Sequence, residues 1–310
     1  MVTVAQGLRE AQAARFAGLD PLLPPAAPDP DGDVLTAAVP SGGRVAGVLC
    51  RSVQGPGAAT SLWSARDTWE LFPLVGDEPG PGMDALLRAW RQLMDRVGAP
   101  DADSSCVVTW PSRDAEGSRA LLAHGFQPLS VLAVRRLAQD PPVLSHGLTI
   151  RAARMRDLDA ALPLALAELA YSAMVGGTIM RPDAADIKRA ALTYRIGQGD
   201  PVWLAERDGV AIGLVECWVT EADPNAQRRF PVPPGRWGYI NCVSVLPGAR
   251  GTGVGQAMMA FAHRELHRAG AAGTYLYYNP PNPLSSVFWP RQGYRPLWTI
   301  WETRPAGALR

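Results

Sequence analysis

The sequence predicts a mixed α/β fold built as two tandem domains, each with a mixed sheet. The 310-residue chain is long for one compact core, since domains usually contain about 100–150 residues. Strand-like and helix-like segments follow the same order in both halves. A polar, proline-bearing segment at 139–147 separates them, and we interpret it as a linker between domains 1–138 and 148–310.

Alternating and helical apolar patterns predict the elements of the first domain. No function is inferred for residues before Asp33, including the Pro-rich run at 21–30. The predicted elements are strands at 33–39, 44–52 and 68–75, a helix at 83–97, a strand at 106–110, a helix at 114–125 and a closing strand or hairpin at 129–137.

The second domain repeats this order. We expect Pro163 to interrupt or delay its first helix, and Asp208-Gly209 is a strong hairpin turn. The predicted elements are a strand at 148–153, helices near 158–175 and 184–196, strands at 202–206, 210–219 and 239–245, a helix at 254–269, a strand at 274–278 and two strands within 294–303.

Composition indicates an ordinary globular protein with 47% hydrophobic and 19% charged residues. A net charge of +1 gives no support for binding nucleic acid or a membrane surface, and no segment approaches ~20 uninterrupted apolar residues. The four cysteines occur singly, which favours free thiols and a reducing cytoplasm. His263 and His267 lack an evident third ligand, so we expect a solvated helix face and no metal site.

The most informative segment follows the strand ending at Val245, where Arg250-Gly251-Thr252-Gly253-Val254-Gly255 opens an amphipathic helix. Glycines let the backbone present several N–H groups to one anion, and the helix N-terminus adds partial positive charge. The segment lacks the Gly-Lys-Ser/Thr ending of a P-loop and the spacing of the dinucleotide fingerprint. It predicts a diphosphate site.

This loop resembles the signature of the GNAT acyltransferase superfamily, Arg/Gln-x-x-Gly-x-Gly/Ala, matched by Arg250, Gly253 and Gly255. Downstream, the run from Asn282 to Tyr294 resembles the family's last-helix pattern, Asn-x-x-Ala-x-x-Phe-Tyr-x-x-x-Gly-Phe. Two motifs in the right order support the resemblance. It implies tandem acyl-CoA N-acyltransferase domains, similar in plan to known two-domain members.

The resemblance also implies a site for acetyl-CoA. Main-chain groups of the strand would hold the pantetheine, the loop would hold the pyrophosphate, and the last helix would lie beside the arm, with the Phe288 ring packed in the core. The residues so implied are Val243, Ser244, Val245, Arg250, Gly251, Thr252, Gly253, Val254, Gly255, Asn282, Ser285 and Phe288.

The acid and base are harder to assign. The family's last-helix tyrosine falls at Trp289, which cannot protonate a thiolate; Tyr278, with Tyr277 and Tyr294 as alternatives, is our candidate acid. Glu216 is the single carboxylate within an apolar strand and is our candidate base, with an outward, solvated position as the alternative.

The acceptor is expected to be a small-molecule amine. Two segments could bind it, 171–181 and the Pro-rich excursion 221–236 with Arg228 and Arg229. The alternatives left open are an acyl-CoA sensor or scaffold without turnover and transfer to a protein N-terminus or lysine. A homodimer is also left open.

The first domain is expected to bind no CoA. Its counterpart of the phosphate loop falls at 76–82, where Asp77 and Glu78 would repel a diphosphate. Pro79 and Pro81 lack the N–H groups that would bind it. The charge balance agrees, because residues 1–147 carry 12 basic and 16 acidic side chains, whereas 148–310 carry 18 and 13.

Overall fold

The computed structural model describes residues 2–24, 30–98, 101–136, 147–222 and 231–310. Within these ranges the chain forms seven helices around one sheet of eleven strands. The helices are α1 (Val2–Leu19), α2 (Pro79–Val97), α3 (Ala115–Ala123), α4 (Leu158–Met174), α5 (Ala184–Gln198), α6 (Val254–Arg268) and α7 (Ser285–Arg291). The strands are β1 (Asp33–Ala38), β2 (Arg44–Val53), β3 (Asp67–Leu74), β4 (Ser104–Pro111), β5 (Gln127–Arg136), β6 (Thr149–Ala152), β7 (Val202–Arg207), β8 (Val210–Ala222), β9 (Gly235–Val245), β10 (Gly273–Tyr278) and β11 (Arg295–Thr303).

The strand order is β1-β2-β3-β4-β11-β5-β10-β9-β8-β7-β6. The pairs β3–β4 and β9–β10 are parallel and the other pairs are antiparallel, so the predicted mixed sheet is confirmed. The last strand of each half pairs with strands of the other half. Strand β11, from the second half, lies between β4 and β5 of the first half, and β5, from the first half, lies between β11 and β10 of the second half. The two halves therefore share one continuous sheet.

Several predicted elements need correction. Helix α1 was not predicted at all. Pro163 lies inside α4, which runs unbroken from Leu158 to Met174. A single strand, β11, is present where two were expected within 294–303. Its pairing with β5 contains two register shifts. Helix α2 already begins at Pro79, because a proline at the first helical position needs no N–H partner.

Other features agree with the sequence. Asp208 and Gly209 both have positive φ, as expected for the tight turn between β7 and β8. Gly270, with φ of 84°, follows the end of α6. The proposed linker, apart from Gly147, lies outside the described residues. The domain boundary therefore stays a prediction.

Helices α4 and α6 cover opposite faces of β8 and β9. Val215 and Ile240 pack in a cluster with Met258 of α6, whereas Leu214 and Cys242 pack in a cluster with residues of α4. This packing on both faces holds β8 and β9 in place, and β9 lines the cleft of the candidate site.

The expectation of a solvated face for His263 is wrong. Its side chain is buried, and its Nε2 lies 2.9 Å from the Tyr294 hydroxyl, which is 2.7 Å from that of Thr274. These contacts join α6 to β10 and to the start of β11. His267 is exposed, as expected.

Candidate functional site

A cleft opens where β9 and β10 diverge. Their parallel ladder runs from the Trp237–Gly273 pair to the Ile240–Leu276 pair, the last in the described sheet. Beyond it, the edge of β9 at 241–245 turns toward a cavity of about 590 Å³. The opposite edge of β9 stays paired with β8 through Val245. One edge of β9 is thus paired with β8, while the other edge presents its backbone to the cleft.

A β-bulge shapes this part of β9. Cys217 of β8 pairs with Ile240, whereas Glu216 pairs with Cys242, so Asn241 is the extra residue. Strict alternation of side chains between the two faces of the strand therefore fails at Asn241, because one extra residue reverses which face later side chains occupy. Val243 packs on the same side as Ile240, and Asn241 lines the cleft.

The glycine loop forms one end of the cleft. Gly251 and Gly253 have φ of 75° and 84°, a region that favours glycine, and Gly253 is the N-cap of α6. A Cβ at Gly255 would lie 3.3 Å from the Phe288 ring, so a side chain there would require this ring to shift by a few tenths of an ångström. The first-turn N–H groups of α6 lack intrahelical partners and are free to bind an anion.

Arg250 supplies the charge beside these amides. Its Nε donates a 3.1 Å hydrogen bond to the Val245 carbonyl, and its guanidinium lies 5.5 Å from the centre of the Tyr171 ring. Both contacts hold the side chain over the cleft, between β9 and α4.

The structure brings most of the predicted binding residues together around one cavity. Those in the cleft lining are Val243, Ser244, Val245, Arg250, Gly251, Gly253, Gly255, Asn282, Ser285 and Phe288, together with the predicted acid Tyr278. Thr252 and Val254 are not in the lining. The Thr252 hydroxyl donates to the Ala249 carbonyl at 2.8 Å, and Val254 is buried in the core beneath the loop.

Asn282 and Ser285 shape the turn into α7. Asn282 Oδ1 accepts hydrogen bonds from the backbone N–H groups of Leu284 and Ser285 at 3.0 and 3.1 Å. These bonds satisfy donors that the short helix leaves without partners. The turn fixes the wall of the cleft that faces Gly255.

Glu168, which the sequence analysis missed, is the carboxylate in the cleft lining. It lies on α4 with Tyr171 and Ser172 at i+3 and i+4, a spacing that puts all three on one helix face. The Ser172 hydroxyl donates to Glu168 Oε1 at 2.8 Å. Removal from water raises the pKa of Glu168, which brings this carboxyl closer to the range useful for a base.

The predicted base, Glu216, is buried on β8 and is not in the lining. It lies behind the wall that carries Glu168, and its charge raises the pKa of that residue. The sequence signal for Glu168 was a carboxylate flanked by apolar residues in the mostly apolar helix α4. Tertiary packing decided which of the two carboxylates reaches the cleft.

Tyr278 and Trp289 line the cleft at the end of β10 and on α7. Burial raises the pKa of Tyr278, so its hydroxyl keeps its proton at neutral pH. Trp289 is 8% exposed and packs edge-on against Phe288 with ring centres 4.9 Å apart. Of these two side chains, Tyr278 is the one that can protonate a thiolate, because the indole N–H of Trp289 is a hydrogen-bond donor that does not ionise in this range.

The segment between α4 and α5, one of the two expected to bind the acceptor, closes over this end of the molecule. Gly177 packs directly against the Asn279 side chain, which donates to the Leu129 carbonyl at 2.8 Å. The backbone N–H of Ile179 bonds to the Leu62 carbonyl at 2.8 Å. The first half therefore anchors this segment. Arg228 and Arg229 of the other segment lie outside the described residues.

The described residues contain no group of three or more His, Cys, Asp or Glu side chains that could hold a metal ion. No helix among them is both long and apolar enough to cross a membrane.

The residues present fit a CoA thioester. A diphosphate matches the free amides at the start of α6 and the guanidinium of Arg250. An extended amide-bearing arm matches the open edge of β9, since both present alternating donors and acceptors.

Comparison with known proteins agrees with a site for a CoA thioester. Residues 171–294 match the Acetyltransferase (GNAT) family. The whole chain has the fold of a GCN5-related N-acetyltransferase from Sphaerobacter thermophilus, with a TM-score of 0.59 over 97% of this chain and 93% of that one at 16% identity. The fold and the site thus define an acyltransferase architecture. Residues 171–294 are thus similar in sequence to the GNAT acetyltransferase family.

Two curated relatives are similar in sequence. A mycothiol acetyltransferase from Frankia alni is 31% identical over 205 residues, which cover 61% of this chain and 56% of the relative. One from Frankia casuarinae is 36% identical over 80 residues, covering 26% and 23%. The chain thus spans little more than half the length of the first relative and about a quarter of the second.

Proposed function

We propose that the C-terminal half transfers an acetyl or other short acyl group from CoA to the amine of a small molecule. One observation carries this proposal: the open edge of β9, the glycine loop and a carboxylate line a single cleft. Residues 148–310 would form the catalytic domain and residues 1–138 a related domain without a CoA site. We place the protein in the cytoplasm because its cysteines are free thiols.

The chain supplies three functions for this reaction. Main-chain groups at Val243 to Val245 orient the thioester and stabilise the charge that develops on its oxygen. The Glu168 carboxylate takes the proton from the attacking amine as the C–N bond forms. The C–S bond breaks, and the Tyr278 hydroxyl or solvent returns a proton to the sulfur.

The acceptor is proposed from two lines of support. The relatives are named for a small-molecule acceptor. The wall opposite β9 presents Glu168 beside Tyr171 and Ser172, a setting that attracts a protonated amine and can then remove its proton. An acidic acceptor would be repelled by this carboxylate.

Calorimetry with acetyl-CoA, followed by thiol release over a panel of amines, tests the proposal. We expect one binding site per chain and acceptor-dependent thiol release that falls about 100-fold or more in Glu168→Gln. Binding without thiol release would favour the acyl-CoA sensor. The presence of Trp289 in place of the family's tyrosine supports this alternative. Absence of binding would overturn both functions.

A further inference from the structure

One aromatic side chain in the cleft takes no part in the CoA site or in the reaction steps proposed above. Tyr277 of β10 lines the cavity and is 43% exposed, whereas Tyr275 and Leu276 before it are buried. Ligand pockets are lined mainly by apolar and aromatic side chains that the ligand covers. The exposed part of the Tyr277 ring is therefore a surface that a bound molecule can cover.

The cleft has one wall on each face of the sheet. Tyr278 packs with Phe288 in the cluster on the α6 side, where the glycine loop lies. Successive side chains of a strand point to opposite faces, so Tyr277 points to the other face. Helix α4 covers that face of β8 and β9 and carries Glu168 into the lining. Tyr277 and Glu168 thus lie on one side of the sheet, and the CoA loop lies on the other.

A row of aromatic rings supports Tyr277 from behind. Its ring centre is 6.0 Å from that of Tyr239, which stacks on Tyr275 at 4.9 Å and meets Trp218 edge-on at 4.5 Å. The Arg195 guanidinium of α5 lies 3.7 Å from the centre of the Trp218 ring and ends the row. Helix α5 packs with α4 in one cluster, which places the row on the α4 face. Ring pairs of this geometry stabilise one another, so the position of Tyr277 is set before a ligand binds.

A flat ring and a carboxylate on the same side of a cleft select a particular kind of acceptor. The carboxylate of Glu168 attracts an amine, as argued above. The Tyr277 ring offers a plane on which a second aromatic ring gains more than the area it buries, a gain of roughly two- to tenfold in affinity. An aliphatic group covers the same area without this gain.

We propose that the acceptor is a primary amine that carries an aromatic ring, and that Tyr277 sets this preference by packing against that ring while the amine lies at Glu168. The inference rests on the proposed function, in which Glu168 takes the proton of the attacking amine. It adds no chemical step, since the C–N bond still forms as the C–S bond breaks. The cavity of about 590 Å³ lies within the usual size of small-molecule sites.

Phenethylamine and 2-cyclohexylethylamine test the proposal as a matched pair, because both carry the amine two carbons from a six-membered ring. The cyclohexyl ring is the more apolar, so burial alone favours the second amine. We expect the wild type to prefer phenethylamine roughly three- to tenfold in kcat/KM, measured as thiol release from acetyl-CoA. Tyr277→Phe should keep this preference and Tyr277→Leu should lose it.

Controls separate ring packing from other effects. Tyr194→Leu removes an exposed tyrosine of α5 that is not in the cleft lining, and it should leave the preference unchanged. Acetyl-CoA affinity should stay within twofold in all three variants. The measured quantity is a ratio between two amines, so a role of the Tyr277 hydroxyl in proton transfer would not change it. If Tyr277→Leu does not fold, Tyr277→Gln takes its place.

A wild-type ratio near one, or a preference for phenethylamine that survives in Tyr277→Leu, would overturn the inference and leave the proposed function standing. If acetyl-CoA binds but no amine releases thiol, the proposed function fails instead. Calorimetry of the two amines with CoA-saturated protein then decides the inference. Tighter binding of phenethylamine that is lost in Tyr277→Leu would support a site for an aromatic ring, and equal binding of the two amines would overturn it.

Discussion

In each half of the molecule a pair of parallel strands diverges and opens the sheet, but the two openings are occupied differently. The parallel ladder of β3 and β4 ends at the Leu71–Val108 pair, as that of β9 and β10 ends at Ile240–Leu276. In the second half the opening leads into the cleft. In the first half a side chain from α1 fills it.

That side chain is Gln12, which is 3% exposed. Its Nε2 donates to the Pro73 carbonyl at 3.0 Å, and its Oε1 accepts from the Val75 N–H at 2.8 Å. These bonds satisfy the strand edge within the chain itself. Phe16, one turn further along α1, packs edge-on against Trp110 of β4. The first half thus fills its opening with a side chain of its own helix α1.

The loops after the two strands differ as well. Four residues, 75–78, join β3 to α2, and they include Asp77 and Glu78. The Glu78 carboxylate accepts a 2.8 Å hydrogen bond from the Ser41 hydroxyl. The longer loop before α6 carries Arg250 and two glycines with positive φ. Among the described residues, a basic glycine loop and an open strand edge thus occur together in the second half and not in the first.

Reversing the charge of Arg250 should produce the largest loss. In Arg250→Glu we expect acetyl-CoA affinity to fall about 100-fold, or about 3 kcal/mol, because a cation beside the anion site becomes an anion. Calorimetry measures this directly. Arg264→Glu, on the exposed side of α6, changes the net charge equally and should change affinity less than threefold. Equal losses in the two variants would show that bulk charge, not the loop, binds the ligand.

Removing the filling side chain should damage the first half without touching the cleft. Gln12→Leu leaves the Pro73 carbonyl and the Val75 N–H without partners, so we expect a loss of about 2 kcal/mol in the free energy of unfolding. Urea unfolding measures the loss, and acetyl-CoA affinity should not change. Gln6→Leu, at an exposed site of the same helix, should cost less than about 0.5 kcal/mol. A stable Gln12→Leu variant would contradict the filling role.

The backbone conformation of the loop and the start of α6 were predictable from sequence because they depend on local chemistry. Arg250 and the glycines after it carry the backbone freedom, the charge and the helix start within six residues. The bulge at Asn241 was not predictable in this way. It exists in the register between β9 and β8, which no pattern within a single strand records.

The rest of the site depends on distant contacts. Helix α1 was missed because its role arises from packing Gln12 and Phe16 against β3 and β4, not from a strong amphipathic pattern. Glu168 and Glu216 look alike in sequence, each a carboxylate flanked on both sides by apolar residues. Only the placement of α4 over the open edge of β9 distinguishes them. The exchange of β5 and β11 between halves likewise has no local signal.

A substitution at the contact between Gly177 and Asn279 should weaken use of the acceptor without weakening CoA binding. A methyl group at residue 177 would overlap the Asn279 side chain, so in Gly177→Ala either this side chain or the segment between α4 and α5 has to move. We expect kcat/KM for the acceptor to fall about tenfold while acetyl-CoA affinity stays within twofold. Gly197→Ala, in α5 with open space around it, should keep full activity and gain about 0.5 kcal/mol in stability. Unchanged acceptor kinetics in Gly177→Ala would show that this segment does not shape the acceptor site.

The smallest expected effect concerns the ion pair that ties this segment to the first half. Arg181 donates to both oxygens of Asp103, and these hydrogen bonds hold the pKa of Asp103 below its ordinary value against the opposing effect of burial. A lowered carboxyl pKa stabilises the fold above the unfolded value, near 4, and that stabilisation is lost as pH falls through the folded value.

Asp103→Asn should therefore cost about 1 kcal/mol at pH 7, a figure reduced for the partial exposure of the carboxylate. The difference from the wild type should shrink as unfolding is repeated toward pH 3, because the wild-type carboxylate is then losing its charge. Asp159→Asn, which breaks the exposed pair with Arg189, should cost less than about 0.5 kcal/mol at either pH. A cost for Asp103→Asn that does not vary with pH would mean that its hydrogen bonds, and not its charge, join the acceptor segment to the first half.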